Sequence, residues 1–375
     1  MTAPQLEIQL LAMVVAAACA LPGAFLVLRR MAMMSDAVSH AILPGLVVGF
    51  FVTHDLSSPL LIAGAAVTGV LTVALVELVQ RTRLLKEDAA IGLVFPALFS
   101  IGVILIARFA GDVHLDTDAV LLGELAFAPF DRFVAFGRDL GPRALYVMGG
   151  VGLINLLFIL LFYKELKLAT FDAGLAAALG FAPAVLHYAL MGLVSLTAVA
   201  AFDAVGAILV VALMVGPPAA AYLLTDRLAV MIGLSVGLGA ASAVLGYALA
   251  SLFDVSIAGA MATAVGGIFV FVYTVAPHRG LVSVVMRRRR QRWRFAQQML
   301  VVHLLHHEGR PEADRECRVA HLQEHLDWSP DFAVRVVRQA EQRGLARRTG
   351  GHLALTETGR ALAADTLAYG SRVEV

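Results

Sequence analysis

Residues 228–252 read LAVMIGLSVGLGAASAVLGYALASL, a run without a single charged side chain. A bilayer core takes about 20 mainly apolar residues per helix, so this run is long enough to cross one. It does not alternate at period two, as a lipid-facing barrel strand would, and it therefore reads as a helix. Glycines are scattered through it from Gly233 to Gly246. In lipid the hydrophobic effect does not drive helices together, and small residues instead let backbones approach closely. The segment is one helix of a compact bundle.

Working outward, eight further runs have the same character: residues 8–28, 37–54, 59–80, 89–109, 144–163, 184–202, 204–224 and 256–276. The chain is 59% hydrophobic and only 15% charged. That composition lies far from the globular average, so its 375 residues do not describe two or three soluble domains. The expected fold is an all-α polytopic membrane protein with eight or nine transmembrane helices, eight if one apolar run is re-entrant. Irregular backbone between the runs must face protein or water. The first run lacks a basic leader and a small-residue cleavage site, so it reads as a retained span. No pair of short inverted repeats stands out. Cys19 and Cys317 imply no disulfide framework.

Basic residues set the orientation. Arg29 and Arg30, then Arg81, Arg83 and Lys86, then Lys164 and Lys167, then Arg227, then Arg279 with Arg287–Arg290 occupy alternate connections. The connections His54–Ser58, near Asp203, and Asp254–Ser256 hold no Lys or Arg. Nine spans with the N-terminus outside and the C-terminus in the cytoplasm of a bacterial inner membrane fit this alternation. The long connection 110–143, with Arg132, Arg138 and Arg143, departs from it.

The strongest polar signal is Ser35-Asp36-Ala37-Val38-Ser39-His40-Ala41, leading into Ile42-Leu43-Pro44-Gly45. Asp36 and His40 are four apart and share a helix face. Carboxylate and imidazole together suit Mn, Fe or Zn, and ionisable groups at a span usually face a pathway or a partner. The other reading is structural: Ser35 or Asp36 caps the helix and His40 bonds a neighbour. Leu28-Arg29-Arg30-Met31 followed by this motif resembles the manganese/zinc/iron ABC-transporter permeases, in which a Gly commonly stands where Ser35 stands here. That resemblance implies that Asp36 and His40 bind the metal in transit. Lys86-Glu87-Asp88-Ala89-Ala90-Ile91-Gly92 and the block from Val205-Gly206 through Pro217 to Leu224-Thr225-Asp226-Arg227 extend it over roughly residues 8–282.

Phe171-Asp172-Ala173-Gly174-Leu175-Ala176-Ala177-Ala178-Leu179-Gly180 is too short and interrupted to span. A short helix with an acidic start and a terminal Gly can lie in a partner's groove, or it is an ordinary amphipathic linker. The family resemblance implies the coupling helix that docks on the ATPase. The outer connection carries Asp112, His114, Asp116, Asp118 and Glu124, which either gather cations or form a solvated acidic loop. Asn155, His187 and Asp203 lie in or near spans and read as hydrogen-bonding groups, not ligands. No G-x-x-x-x-G-K-[ST] phosphate loop is present, so ATP hydrolysis belongs to another chain. Neither H-E-x-x-H nor G-x-S-x-G occurs, and no catalytic residue is assigned.

Composition changes abruptly near Arg287. Arg287–Arg290, Arg292 and Arg294 form a basic juxtamembrane linker, 283–292 in its core, placed to meet anionic lipid. Helical patterns follow at about 293–308, 313–326 and 330–343, with Ser329-Pro330 as cap and first residue of the third. Gly344 ends it, Leu345–Leu355 forms a hairpin about Gly350-Gly351, and Thr356-Glu357 starts a last helix. This order is that of a small winged helix-turn-helix domain over 293–375. The run from Val336 to Arg360 resembles the DNA-binding domains of iron- and manganese-dependent repressors. That resemblance makes Arg335, Arg338, Arg343, Arg347 and Arg348 candidate phosphate contacts. A protein-interaction domain that kept the fold is the other reading. His303, His306 and His307 read as a solvated histidine face or as a metal sensor.

The expected function is the permease subunit (residues 1–282 forming its membrane domain) of an ABC importer of Mn, Zn or Fe. The ion would be cargo, with no cofactor bound permanently. Its partners would be an ATPase subunit, an extracytoplasmic metal-binding protein and a second permease copy, the same or related. An ion-coupled secondary carrier and a membrane-tethered metal-responsive regulator are the alternatives.

Overall fold

A computed structural model describes residues 3–54, 58–109, 125–135, 138–277, 279–319, 321–322, 326–349 and 351–370. The chain divides into two compact units, Met1–Gly280 and Leu281–Val375.

The first unit opens with α1 (Ala3–Leu28), α2 (Ala32–Ala41), α3 (Leu43–Thr53), α4 (Pro59–Arg81) and α5 (Glu87–Phe109). A 3₁₀ turn (Leu125–Phe130) and an antiparallel hairpin, β1 (Arg132–Ala135) with β2 (Arg138–Pro142), precede α6 (Arg143–Leu161). Then come α7 (Tyr163–Phe171), α8 (Ala173–Ala178), α9 (Pro183–Val205), α10 (Ala207–Leu224), α11 (Leu228–Phe253) and α12 (Ile257–Val275). Among the described residues, nine helical stretches are long and apolar enough to cross a membrane. The count of eight or nine left open by hydropathy is therefore nine by this measure.

The second span differs from the uninterrupted run expected over 37–54. It starts earlier, at Ala32, and breaks at Ile42 into α2 and α3. Pro44 is the cause: it has no N–H to give the His40 carbonyl, and its ring crowds that carbonyl in a continuous helix.

α1 is buried on nearly every side, with Leu11, Val15, Cys19, Phe25 and Leu26 all inaccessible. Helices α6, α10 and α11 pack around it. A helix apolar on every face, as α1 is from Leu10 onward, belongs at the centre of a bundle. At the α3–α4 crossing, a Cβ on Gly45 would overlap the Gly64 carbonyl and the Thr68 hydroxyl, so only glycine permits this approach. The buried amide of Asn155 donates to the Ala18 carbonyl (3.1 Å) and the Thr197 hydroxyl (2.8 Å), tying α6 to α1 and α9.

The second unit comprises α13 (Leu281–His307), α14 (Ala313–Glu316), α15 (Pro330–Gln342), the hairpin β3 (Ala346–Thr349) and β4 (His352–Leu355), and α16 (Glu357–Gly370). The arginine run 287–290 lies inside α13. The helix expected over 313–326 is interrupted by a turn at Cys317–Arg318. Ser329 stands at the cap of α15 without a side-chain bond, while Pro330 takes the first turn. At the other end Gly344 (φ 66°) N–H bonds the Glu341 carbonyl and Leu345 N–H bonds Ala340, a Schellman stop. Leu300, Val301, Leu304, Phe332, Val336, Val337, Leu353 and Leu355 share one core, with the Trp293 ring 5.1 Å from Phe332.

Candidate metal-transit site

Because α2 is helical across Ser35–Ala41, neither Ser35 nor Asp36 caps it; the capping position falls at Met31. Ser35 Oγ instead donates to the Ala32 carbonyl at 2.8 Å and Ser39 Oγ to the Ser35 carbonyl at 2.7 Å, which satisfies both buried hydroxyls. The helix has two distinct faces. Met34, Ala37, Val38 and Ala41 are buried against the bundle. Met33, Asp36 and His40, spaced three and four apart, lie on the opposite face.

Asp36 Oδ1 stands 3.6 Å from His40 Nε2, and the side chains keep 44% and 32% of their exposure. The imidazole is flanked by Phe95 of α5 (5.6 Å between centroids) and Phe202 of α9 (6.4 Å). Two rings therefore hold the histidine from the apolar side and leave its carboxylate neighbour toward open space. Between Asp36 and His40 in the chain, Val38 lies beside Gly69 of α4, at the level of Ser195 on α9. Ser195 is eight residues from His187, about 12 Å at 1.5 Å per residue, so the pair lies well inside the bundle. Among the described residues no third His, Cys, Asp or Glu joins the pair in a metal-sized group.

A second polar assembly gathers at the basic ends of the helices, and the sequence marked only part of it. Arg29 Nη1 is 3.1 Å from His187 Nδ1, and its Nε donates to Thr170 Oγ1 of α7 at 3.2 Å. A guanidinium can only donate, so His187 Nδ1 accepts and its proton sits on Nε2. That nitrogen lies 2.7 Å from Glu77 Oε1 of α4, where its N–H meets the carboxylate. Tyr188 Oη donates to the other Glu77 oxygen at 2.6 Å. Burial lowers the Arg29 guanidinium from its ordinary range. His187 was expected as a hydrogen-bonding group and is one. Glu77 passed unnoticed because an acid at the end of an apolar run reads as a surface residue.

The segment 171–180 is two pieces. α7 ends at Phe171, and Asp172 caps α8 by accepting from the Leu175 N–H at 2.9 Å. Gly180, at φ 87°, closes α8 with the same Schellman pair, Gly180 N–H to Ala177 and Phe181 N–H to Ala176. Phe171, Leu175 and Leu179 are 63%, 47% and 61% exposed, an apolar row four residues apart with no cover among the described residues. Asp112, His114, Asp116, Asp118 and Glu124 lie outside the described residues. Asp203 is exposed near the end of α9.

Of the five tail arginines, Arg343 donates to Gln297 Oε1 (2.7 Å) and Arg348 pairs with Glu341 (2.9 Å). Arg335 donates to its own helix at the Asp331 carbonyl (3.0 Å), and Arg338 and Arg347 are exposed.

Set beside known proteins, residues 6–276 match the profile described as ABC 3 transport family. The chain belongs to the ABC 3 transport family. Within the family it is 49% identical over 358 residues to the zinc transport system membrane protein TroD of Treponema pallidum (strain Nichols), covering 96% of this chain and 97% of that one. It is 46% identical to the manganese transport system membrane protein MntD of Bacillus subtilis (strain 168), covering 73% and 92%. Among solved structures, PsaBC from Streptococcus pneumoniae in complex with Fab superposes with a TM-score of 0.62 at 31% identity, over 74% of this chain and 94% of that one. Family members of this kind are permease subunits, and ATP hydrolysis lies on a separate chain. The TroD match takes in most of the second unit, since only 4% of this chain lies outside it.

Proposed function

We propose that this ABC 3 permease passes a divalent transition-metal ion, manganese or zinc as in the names of its relatives, into the cell by way of Asp36 and His40. The observation that carries the assignment is the Asp36–His40 pair, half-exposed on the open face of a helix that otherwise packs into an apolar bundle. A carboxylate inside a span faces water, a partner or an ion, not lipid. Iron accepts the same donors and is told apart by direct comparison. Two protein ligands fall short of the four that zinc takes. A second permease copy facing α2, or water, would complete the shell.

The exposed row Phe171, Leu175, Leu179 fits an apolar groove on an ATPase subunit, with Asp172 and Gly180 fixing the ends of α8. Delivery from an extracytoplasmic binding protein follows from the importer assignment. In this arrangement residues 1–282 form the permease domain, 283–292 the basic stretch beside the bacterial inner membrane, and 293–375 a cytoplasmic domain. We assign that domain a winged-helix arrangement used for protein contact, because two of its five candidate arginines are occupied by Gln297 and Glu341. A mobility-shift assay with the detergent-solubilised full chain checks this: salt-sensitive retention of duplex DNA would overturn it.

The principal test is uptake of Mn, Zn and Fe into proteoliposomes holding the permease with its ATPase, for wild type, Asp36→Ala and His40→Ala. Each variant is expected to lose at least about tenfold in uptake, as loss of one ligand weakens a site, while ATP hydrolysis continues. Wild-type uptake in both variants removes the pair from the path. Uptake that persists without ATP would favour an ion-coupled carrier.

A further inference from the structure

Four donor side chains, His303, His307, Glu316 and His321, meet in the second unit. We propose that His303, His307 and Glu316 form a binding site for one zinc-type divalent ion, with His321 as the residue that positions the Glu316 carboxylate. The proposal does not rest on the transport assignment.

His303 and His307 are four apart on α13 and project from one face. Their rings lie 4.7 Å apart between centroids. Glu316 arrives from α14, across the turn that follows α13. One ligand atom from each of the three lies within 4.8 Å of the others, and all three side chains are half-buried. Donors about 2.1 Å from a tetrahedral ion stand roughly 3.4 Å apart. Closing the group onto an ion therefore needs side-chain movements of only about 1 Å, within ordinary rotamer play.

The surrounding contacts prepare the donors. His303 Nε2 is 3.2 Å from the Glu316 backbone carbonyl. A carbonyl only accepts, so the neutral ring carries its proton on Nε2 and its lone pair on Nδ1. Metal-binding histidines are commonly fixed in this way, by a hydrogen bond from the nitrogen that does not ligate. Glu316 Oε2 is in turn 2.9 Å from His321 Nε2. Two imidazoles with one carboxylate, leaving a fourth position for water, is a donor set suited to zinc; magnesium and calcium prefer oxygen alone. His306 packs edge-on against His307, with ring centroids 5.2 Å apart, but stands about 100° round the helix from it in the projection of 3.6 residues per turn. It is left out of the set. Metal binding here would staple the end of α13 to the 313–322 segment.

The experiment uses the full-length chain in detergent micelles with Asp36→Ala and His40→Ala already installed, so the transport pair cannot contribute. Titration with Co²⁺ is expected to give the visible absorption of a tetrahedral site at one equivalent, bleached by Zn²⁺. His303→Ala with His307→Ala should lower affinity at least about 100-fold and Glu316→Gln at least about tenfold, since a ligand is lost. His321→Gln should weaken binding roughly tenfold through the carboxylate it holds, with the absorption maxima unchanged. His306→Ala should bind as the parent does. Tryptophan fluorescence reports folding of this unit directly, because both tryptophans lie in it. Glu316→Gln decides the matter if the double histidine variant unfolds. No Co²⁺ or Zn²⁺ binding by the parent up to about 1 mM, a weak affinity on any scale, overturns the proposal, as does unaltered affinity in Glu316→Gln.

Discussion

Replacing Glu77 by Gln tests whether the Arg29–His187–Glu77–Tyr188 assembly joins the bundle to the segment proposed to meet the ATPase. The carboxylate holds His187 at 2.7 Å and Tyr188 at 2.6 Å, and Arg29 reaches it through the imidazole. Hydrogen bonds to a charged group contribute about 1.5–3 kcal/mol each. The amide keeps an oxygen for Tyr188 but loses the charge. The carboxylate retains 23% exposure. A total loss of about 2 kcal/mol follows after that discount for solvent. Arg29 and Glu77 stand on opposite sides of the imidazole, so their charges are separated by roughly 8 Å, which at an effective dielectric of about 20 corresponds to about 2 kcal/mol. Partial exposure halves it. Glu77→Gln, Arg29→Met and the double variant should therefore show a coupling energy of about 1 kcal/mol in a double-mutant cycle.

Unfolding in mixed micelles at rising SDS fraction gives the stabilities, and ATP-driven uptake per ATP hydrolysed gives the function. Because Arg29 also holds Thr170 of α7, Arg29→Met should lower uptake per ATP more than Glu77→Gln does at equal loss of stability. Additive single effects, with coupling under about 0.3 kcal/mol, would refute the relay. Unchanged uptake per ATP in Arg29→Met would refute its link to α7.

Leu175→Glu places a charge in the exposed apolar row of α7–α8 and should abolish stimulation of the ATPase without changing the permease's own unfolding curve. Gly45→Ala should destabilise the bundle by about 1–3 kcal/mol, the usual penalty of overpacking, because its methyl meets the Gly64 backbone; SDS unfolding measures it. Asn155→Ala should cost about 1 kcal/mol by the same measurement, within the range for interhelical bonds in membranes. In the second unit, the Arg360 hydrogen bonds hold the Glu308 carboxyl below its ordinary 4.5. A lowered folded-state value means the ion pair supports stability above pH 4.5 and loses that support as pH falls through the folded value. Arg360→Met should flatten this slope in tryptophan-detected unfolding between about pH 3 and 5.

Most of the bundle was legible because membrane spans need only length and apolarity, properties a single sequence displays directly. The break at Ile42 was legible in principle, since Pro44 stood in plain view, but proline is tolerated in spans and so did not force it. Asp36 and His40 stood out by their spacing, and the family resemblance alone implied a metal for them. The sequence could not say which side of α2 they faced, and the capping alternative fell only when Ser35 and Asp36 proved interior to the helix. Glu77 escaped because its partners, Arg29 and the adjacent His187 and Tyr188, come from two distant places in the chain, and such convergence has no local signature. The cluster around Glu316 was half visible. Two histidines four apart announce a face, whereas the acid that completes them depends on the turn after α13.

The interior polar groups of the bundle fall into two kinds, and the distinction sharpens what the Asp36–His40 pair must do. Thr197, Ser35 and Ser39 find backbone partners within the chain, and the Asn155 amide nitrogen donates to the Ala18 carbonyl and the Thr197 hydroxyl. Glu77 likewise closes a circuit with His187 and Tyr188. Asp36 is different. Its near partner His40 is 3.6 Å away, beyond a good hydrogen bond, and its side chain keeps more exposure than those groups do. A carboxylate held in a span without close compensation is costly, and natural bundles retain such a cost where it serves an ion. The spacing fits that use: the pair is too loose to be a satisfied ion pair, yet an ion between the two donors would draw them onto itself. In the proposed role, two protein ligands would hold an ion weakly enough for it to leave, which a transit site requires and a storage site does not.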